Sequence, residues 1–198
     1  MHAISPQFPE PRLAPESQPD GHHERILCAA IDLLRQTDCL LQSVDSTTYS
    51  AAVPVAFNGS IGGHVRHCLD HFLCLLRGFD SGLIDYDLRD RDERLERDPD
   101  FARTLVEALR MDLQQLDADL LDSPIQTRCE VSYRRGNSPC SASSLGRELA
   151  YAIAHGIHHF ALIAILARLQ GVQIADGFGI APSTLAHLRD SNAVTTTP

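Results

Sequence analysis

Six histidines of this 198-residue chain, which contains ten in all, lie in two short clusters. They are His64, His67 and His71 in the first cluster and His155, His158 and His159 in the second. On a helix, the members of the first cluster lie within about 60° of one another. His155 and His159 differ by about 40° and share a helix face, with His158 at its edge. Each cluster can therefore present its imidazoles in one direction.

Imidazoles at this spacing are typical of a metal site. Two histidines four residues apart on one helix can bind one ion, and a third from a facing helix leaves an open position for water or substrate. Imidazole suits zinc, nickel, copper and ferrous iron, so the clusters predict a divalent metal ion but do not indicate which metal it is. A single helical histidine is more often structural, but two facing clusters favour a metal site. We interpret the other four as tail, helix-start or surface residues: His2, His22, His23 and His187.

Two further side chains precede the second cluster at helical spacing. Glu148 and Tyr151 lie seven and four residues before His155, on or near its face. Glu148 could orient a ligand imidazole through its other ring nitrogen, or act on a metal-bound water. Equally, an acid in the first turn of a helix interacts favourably with the helix N-terminus. Gly156 costs about 1 kcal/mol in mid-helix relative to alanine, so its position indicates a close approach by another helix.

Several metal chemistries do not fit these motifs. The segment H-G-I-H-H lacks the glutamate of H-E-x-x-H, which supplies the general base of zinc proteases. The paired E-x-x-H motifs of ferritin-like di-iron bundles are also absent from the sequence. A dinuclear oxygen-binding bundle resembling hemerythrin needs bridging carboxylates. Only Glu148 shares the histidine face of its helix, and Asp70 is expected to point elsewhere, so a dinuclear site is the second choice.

The elements that must position these residues are four long helices. Apolar residues repeat at helical spacing, as in Ile26, Ala30 and Leu33, and Asp98 followed by Pro99 is typical of a helix start. The predicted helices cover 21–44, 58 or 60 to 79, 98–121, and 143 or 144 to 170. Four helices in one small domain predict an all-α fold, an antiparallel four-helix bundle.

The connections carry less regular patterns. The charged stretch 78–98 is interpreted as a solvated loop with salt bridges. The segment 127–138 alternates weakly and ends in Gly136-Asn137, which favours a short hairpin or an irregular insert before the fourth helix. One more short turn is expected from Pro182, packed back on the bundle.

The composition of the chain indicates which partners it can bind and how its two ends behave. The formal charge of −9 argues against the clustered basic footprint that nucleic acid or an anionic membrane requires. The proline-rich stretch 1–19 is not a signal peptide and is expected to be a flexible tail, as is 191–198, leaving one domain at 20–190. The six cysteines form no C-x-x-C pair, which favours buried or free thiols in a cytoplasmic protein.

The stretch 148–167 has the length of a membrane span. It nevertheless carries a glutamate and three histidines, and polar groups are costly in lipid. We therefore interpret it as the central helix of a soluble bundle. The sequence leaves open whether the protein forms a homodimer.

Three motifs together resemble those of the DinB-like (DinB/YfiT-like) superfamily. They are S-I-G-G-H-V-R-H at 60–67, H-G-I-H-H at 155–159 and F-G-I-A-P-S-T-L-A-H at 178–187, within a resemblance that spans 21–190. This resemblance implies a four-helix bundle with a divalent metal held by one histidine of helix two and an H-x-x-x-H pair of helix four. The implied ligands are His67, His155 and His159. His64 and His71 exceed this pattern, and either could replace or join His67.

The resemblance also implies two functions. Characterised relatives include transferases and isomerases that use low-molecular-weight thiols, and the metal-binding module of ergothioneine-forming enzymes. The first hypothesis is a metal-dependent enzyme, a thiol transferase or a hydrolase, acting on a small-molecule substrate. Substrate orientation and proton transfer would fall to His64, His158, Glu148 or Tyr151. The second hypothesis is a non-catalytic bundle that binds a metal or a protein partner.

Overall fold

The structure is a computed structural model that describes residues 21–134 and 136–195. Within these residues it is mostly helical, with seven α-helices and three short strands. The helices are α1 (His22–Gln42), α2 (Ser46–Ser50), α3 (Ile61–Phe79), α4 (Arg94–Arg97), α5 (Pro99–Gln115), α6 (Leu145–Leu169) and α7 (Pro182–Thr195). The predicted tail 1–19 lies outside the described residues, and the division into tail, domain and C-terminal segment stays a prediction.

The starts of three long helices follow from capping side chains. Ser60 caps α3 by accepting from the backbone N–H of Gly63, and Ser144 caps α6 in the same way. Asp98 accepts from two backbone N–H groups at the start of α5, with Pro99 at the first helical position. The predicted starts of these helices are therefore confirmed.

The helix that carries the second histidine cluster lies at the centre of the packing. α6 packs against both α1 and α3, and α1 also packs against α5. The faces that meet are lined by buried apolar residues such as Leu33, Phe72 and Phe160. Burial of this surface is the main stabilising contribution, and it holds α3 and α6 side by side.

Three short strands form a small sheet, so the all-α prediction was too narrow. They are β1 (Leu83–Asp85), β2 (Pro124–Arg128) and β3 (Cys140–Ser144). β2 pairs with β3 in the antiparallel sense, which confirms the hairpin alternative although the strands flank the predicted segment. β1 pairs with β2 in the parallel sense and was not predicted.

The stretch 78–98 has the predicted salt bridges, such as those of Arg94 with Asp92 and of Arg97 with Glu93, but it is not only a solvated loop. Ile84, Tyr86 and Leu95 are all buried. Ile84 and Tyr86 alternate with aspartates, which is the period of a strand. Ile84 lies in β1, and Tyr86 follows the strand directly and donates its backbone N–H to the carbonyl of Arg128 in β2. Leu95 belongs to α4, a single turn that packs against α3. The many charges hid this pattern, because they lie on the solvent-facing positions between the apolar ones.

Other bounds differ from the predictions by a turn or more. The third long helix ends at Gln115 and a 3₁₀ helix, Ala118–Asp122, completes the predicted span. A short helix, α2, lies in a stretch predicted as loop, capped by Asp45. At the C-terminal end, α7 is longer than the single turn that was expected from Pro182.

One described helix, α6, is long and apolar enough to cross a membrane, with a mean hydropathy of 1.7 in its most apolar window. The core helix of a soluble protein can have the same length and composition. In the described structure the buried residues of α6 pack against α1 and α3, and Gly156 lies directly against Leu33 of α1. The close helix approach predicted at Gly156 is thus present.

Gly62, in the first turn of α3, provides a test of the packing around the first histidine cluster. A Cβ atom added there would overlap the backbone carbonyl of Glu96 in α4. We expect Gly62→Ala to lower the free energy of unfolding by about 1–3 kcal/mol, because backbone cannot yield as a side chain can. The neighbouring Gly63→Ala is the control, since its Cβ would meet only the hydroxyl of Ser60. Chemical denaturation measures both, and equal effects would contradict this reading of Gly62.

Candidate metal centre

The packing of α3 against α6 brings the two histidine clusters into contact. The Nε2 atoms of His67 and His155 lie 2.8 Å apart. The ring centroid of His159 lies 4.5 Å from that of His67 and 4.6 Å from that of His155. One nitrogen from each of the three residues can be chosen so that all lie within 4.8 Å of one another. These three histidines form a group, here called the triad, that could hold a metal ion.

The spacing of the triad fits a divalent ion. Zinc binds imidazole nitrogen at about 2.0–2.1 Å, so two such ligands lie about 2.9–3.4 Å apart, depending on the coordination angle. The 2.8 Å separation of the His67 and His155 nitrogens is close to the lower end of that range. With three protein ligands, a position for water or substrate remains open.

Burial keeps the triad in the state that binds metals. Desolvation is the main cause that lowers the pKa of His67 and of His159 to about 3, and that of His155 to about 4. The neighbouring imidazoles lower these pKa values further, because two protonated rings in contact repel each other. Neutral imidazoles carry a free lone pair at neutral pH, and only that form is a ligand.

His64 and His71 flank the triad, and neither belongs to the group of three. The Nδ1 atom of His64 lies 2.9 Å from Nδ1 of His159. His71 is buried, and its Nδ1–H donates to the backbone carbonyl of His67 at 2.9 Å. Its ring lies 4.2 Å from that of His155, centroid to centroid. Geometry therefore favours His67 as the third ligand, with His64 and His71 packed around the ligand rings.

Glu148 is buried and fully engaged by hydrogen bonds. It accepts from the hydroxyl of Tyr86 at 2.8 Å, from the hydroxyl of Ser143 at 2.7 Å and from the guanidinium of Arg147 at 2.9 Å. The carboxylate thus binds these groups rather than a ring nitrogen of His155. Its connection to the site runs through Tyr86, whose ring stacks on that of His71 at 5.3 Å.

The other two candidates for proton transfer differ in exposure. Tyr151 is partly buried, and its ring stacks against that of His155 with centroids 5.7 Å apart. Burial is the first cause that raises the pKa of Tyr151, so the phenol keeps its proton at neutral pH. His158 is exposed, and its ring centroid lies 5.3 Å from that of His159. Both side chains lie next to the triad and do not belong to it.

The structure adds two side chains that sequence reasoning missed, Tyr86 and Arg89. Both belong to the charged stretch that was predicted to be a solvated loop. Tyr86 joins Glu148 to His71, and burial together with the Glu148 charge raises its pKa above the ordinary value. Arg89 contacts His67 directly, with its Nη1 atom 2.8 Å from Nδ1. The period-two pattern of Ile84 and Tyr86 was the signal that could have revealed Tyr86.

The other histidines in the described part of the chain lie outside the site, as predicted. His23 contacts Asp122 at 3.2 Å across the surface, and His187 is exposed on α7. His2 lies outside the described residues.

Burial raises the pKa of Asp70, and the guanidinium groups of Arg66 and Arg89 oppose that rise. The six cysteines, which all lie in the described part of the chain, are free thiols as predicted.

The low pKa values of the triad predict a pH-dependent stability for the metal-free protein. Unfolding returns these histidines to an ordinary pKa near 6.5, so below that pH the unfolded chain binds more protons than the folded one. The free energy of unfolding should therefore be highest above pH 6.5 and fall as the pH is lowered towards about 4. Urea denaturation in the presence of a chelator measures this dependence.

Two variants test whether the histidines of the triad cause this pH dependence of stability. The double variant His155→Ala, His159→Ala should flatten the loss of stability below pH 6.5, because two of the titrating rings are absent. His187→Ala, which removes an exposed ring, should leave the profile as in the unaltered protein. An unchanged slope in the double variant would show that other groups cause the pH dependence.

Two comparisons with known proteins find similarity to this chain. The model of the DinB family matches residues 34–176, which include both histidine clusters. The chain is also 31% identical over 107 residues to "FK506-binding protein 5" of Rhizopus delemar. That match covers 54% of this chain and only 28% of the relative. No solved structure matches the chain. Since the family match covers well over half of its length, the chain belongs to the DinB family.

Proposed function

We propose that the protein is a divalent-metal-binding helical bundle and a metal-dependent enzyme that transfers a low-molecular-weight thiol to a small electrophile. In this proposal α1, α3, α5 and α6 are the helices of an antiparallel four-helix bundle. The observation that carries the proposal is the triad, in which nitrogens of two facing helices approach to 2.8 Å. Membership of the DinB family supports the same reading.

The histidines of the triad would hold zinc, nickel or ferrous iron, and the ion would supply an acidified, nucleophilic thiol. Tyr151, stacked on His155, would orient the substrate by contact. The exposed His158, beside His159, would carry the proton released by the thiol towards solvent. Glu148 would act at a distance, by fixing Tyr86 against His71. The thiol sulfur would then bond to the electrophilic carbon, and the leaving group would depart with the electron pair of the broken bond.

The setting of this activity is also a proposal. We place the protein in the cytoplasm, where low-molecular-weight thiols are kept reduced. The net charge of −9 supports a small-molecule substrate rather than nucleic acid or an anionic membrane. Homodimer formation would leave the triad unchanged, because all three of its residues come from one chain.

Metal binding by protein purified without a histidine tag tests the site directly. We expect one equivalent of zinc per chain, and a loss of affinity of about 100-fold or more in His67→Ala, His155→Ala or His159→Ala, because each removes a ligand. At zinc concentrations 100 times the Kd, the bound ion should add about 2.7 kcal/mol to the free energy of unfolding. Isothermal titration calorimetry and thermal unfolding measure the two effects.

Matched controls separate ligands from neighbours. His158→Ala should retain zinc affinity, because that side chain is exposed and outside the triad. His64→Ala and His71→Ala should weaken binding by about 10–100-fold, as expected for residues that orient ligands, and by less than removal of a ligand does. A protein with no bound zinc, nickel or iron after reconstitution would overturn the proposal. A greater loss in His71→Ala than in His67→Ala would reassign the third ligand.

Turnover distinguishes an enzyme from a non-catalytic metal-binding bundle. The reconstituted protein should accelerate consumption of a thiol by an electrophile such as monochlorobimane. Tyr151→Phe should lower that rate while zinc affinity stays the same, since the phenol is outside the triad. Full metal binding without turnover on a panel of thiols and electrophiles would favour the alternative, a bundle that senses metal or binds a partner.

A further inference from the structure

The guanidinium of Arg89 lies against the triad and makes no ion pair with a carboxylate of the described residues. Nη1 of Arg89 lies 2.8 Å from Nδ1 of His67. Its Nε atom is buried and has no hydrogen-bond partner. Within the described residues, no carboxylate oxygen comes within ion-pair distance of this side chain. Arg89 acts electrostatically on the carboxyl groups of Asp70 and Asp87, neither of which is within ion-pair distance. It also acts on His71, His155 and Tyr151, which places its charge beside the site.

Arg89 differs in this respect from comparable arginines of the described chain. Every other partly buried arginine contacts a carboxylate at 3.1 Å or less, even though the chain has an excess of acids. These paired residues are Arg35, Arg66, Arg103, Arg110 and Arg128. A partly buried charge without a counter-ion is costly, so an unpaired guanidinium indicates a place for an anion that arrives from outside.

The contact between Arg89 and His67 depends on which nitrogen of the imidazole carries the proton. A guanidinium only donates, so Nδ1 of His67 accepts and its proton lies on Nε2, the atom that faces His155. When Nε2 is a metal ligand, the proton of the neutral ring lies on Nδ1 instead. Nδ1 can then no longer accept from Arg89, and the guanidinium is available to another acceptor.

We propose that Arg89 binds the carboxylate of the small molecule whose thiol occupies the open position of the metal site. The inference rests on the proposed function and names the class of thiol, a mercapto acid. Arginine is suited to this role because its planar fork binds a carboxylate through two parallel hydrogen bonds. One imidazole ring separates the atom that Arg89 contacts from the atom that faces the metal site. A short carbon chain spans that width, so one molecule can engage both groups.

The test compares two thiols that differ at one end. Zinc-loaded protein is titrated with 3-mercaptopropionate and with 2-mercaptoethanol by isothermal titration calorimetry. The unaltered protein should bind the mercapto acid at least about tenfold more tightly, as expected for a charge-assisted pair. Arg89→Gln should abolish this preference, and Arg89→Lys should keep part of it, since lysine retains the charge without the fork.

Controls separate this inference from the metal site itself. Arg89→Gln should bind zinc at least as tightly as the unaltered protein, because a positive charge beside a ligand is removed. Arg77→Gln removes an exposed arginine paired with Asp90 and should leave the preference intact. Equal affinity of the unaltered protein for the two thiols, or an unchanged preference in Arg89→Gln, overturns the role of Arg89 alone. Absence of zinc binding in the unaltered protein overturns the proposed function as well.

Discussion

The packing of α3 against α6 is the constraint on which the site depends. It places rings from both helices in contact, and the space between them is half-buried, so charged imidazolium is disfavoured on every ring of the triad. Neutral rings with their lone pairs close together are costly unless protons or a metal ion lie between them. The same burial that stabilises the helix pair therefore prepares the triad for a cation.

Residues behind the triad hold its imidazole rings in position. The parallel pairing of β1 with β2 positions Tyr86, which accounts for one hydrogen bond of buried Glu148 and for a stacked contact with His71. The hydrogen bond from His71 to the carbonyl of His67 then determines the proton position on the His71 ring. Positions of this kind are typical around metal ligands, whose orientation depends on the groups behind them.

The net charge of −9 does not describe the surroundings of the triad, where the charge differs from that of the rest of the surface. Acidic residues dominate the surface and pair with most partly buried arginines, whereas the triad is bordered by the unpaired Arg89. An acidic protein can therefore present a locally positive site to an anionic ligand. The match to the DinB family includes Arg89 and all three residues of the triad.

The sequence by itself determined the four long helices and their capped starts, because helical periodicity and capping are local properties. It also identified the two histidine clusters, but it left the ligand from the first cluster open among His64, His67 and His71. It also showed that Gly156 lies at a close approach. Only the tertiary structure brings one nitrogen each of His67, His155 and His159 within 4.8 Å of one another, because the packing of α3 against α6 sets the position of every ring. The alternation of Ile84 and Tyr86 with aspartates was a local signal for the inward position of Tyr86. The pairing of β1 with β2, about 40 residues apart, and the contact of Arg89 with His67 have no local signal, because each joins distant parts of the chain.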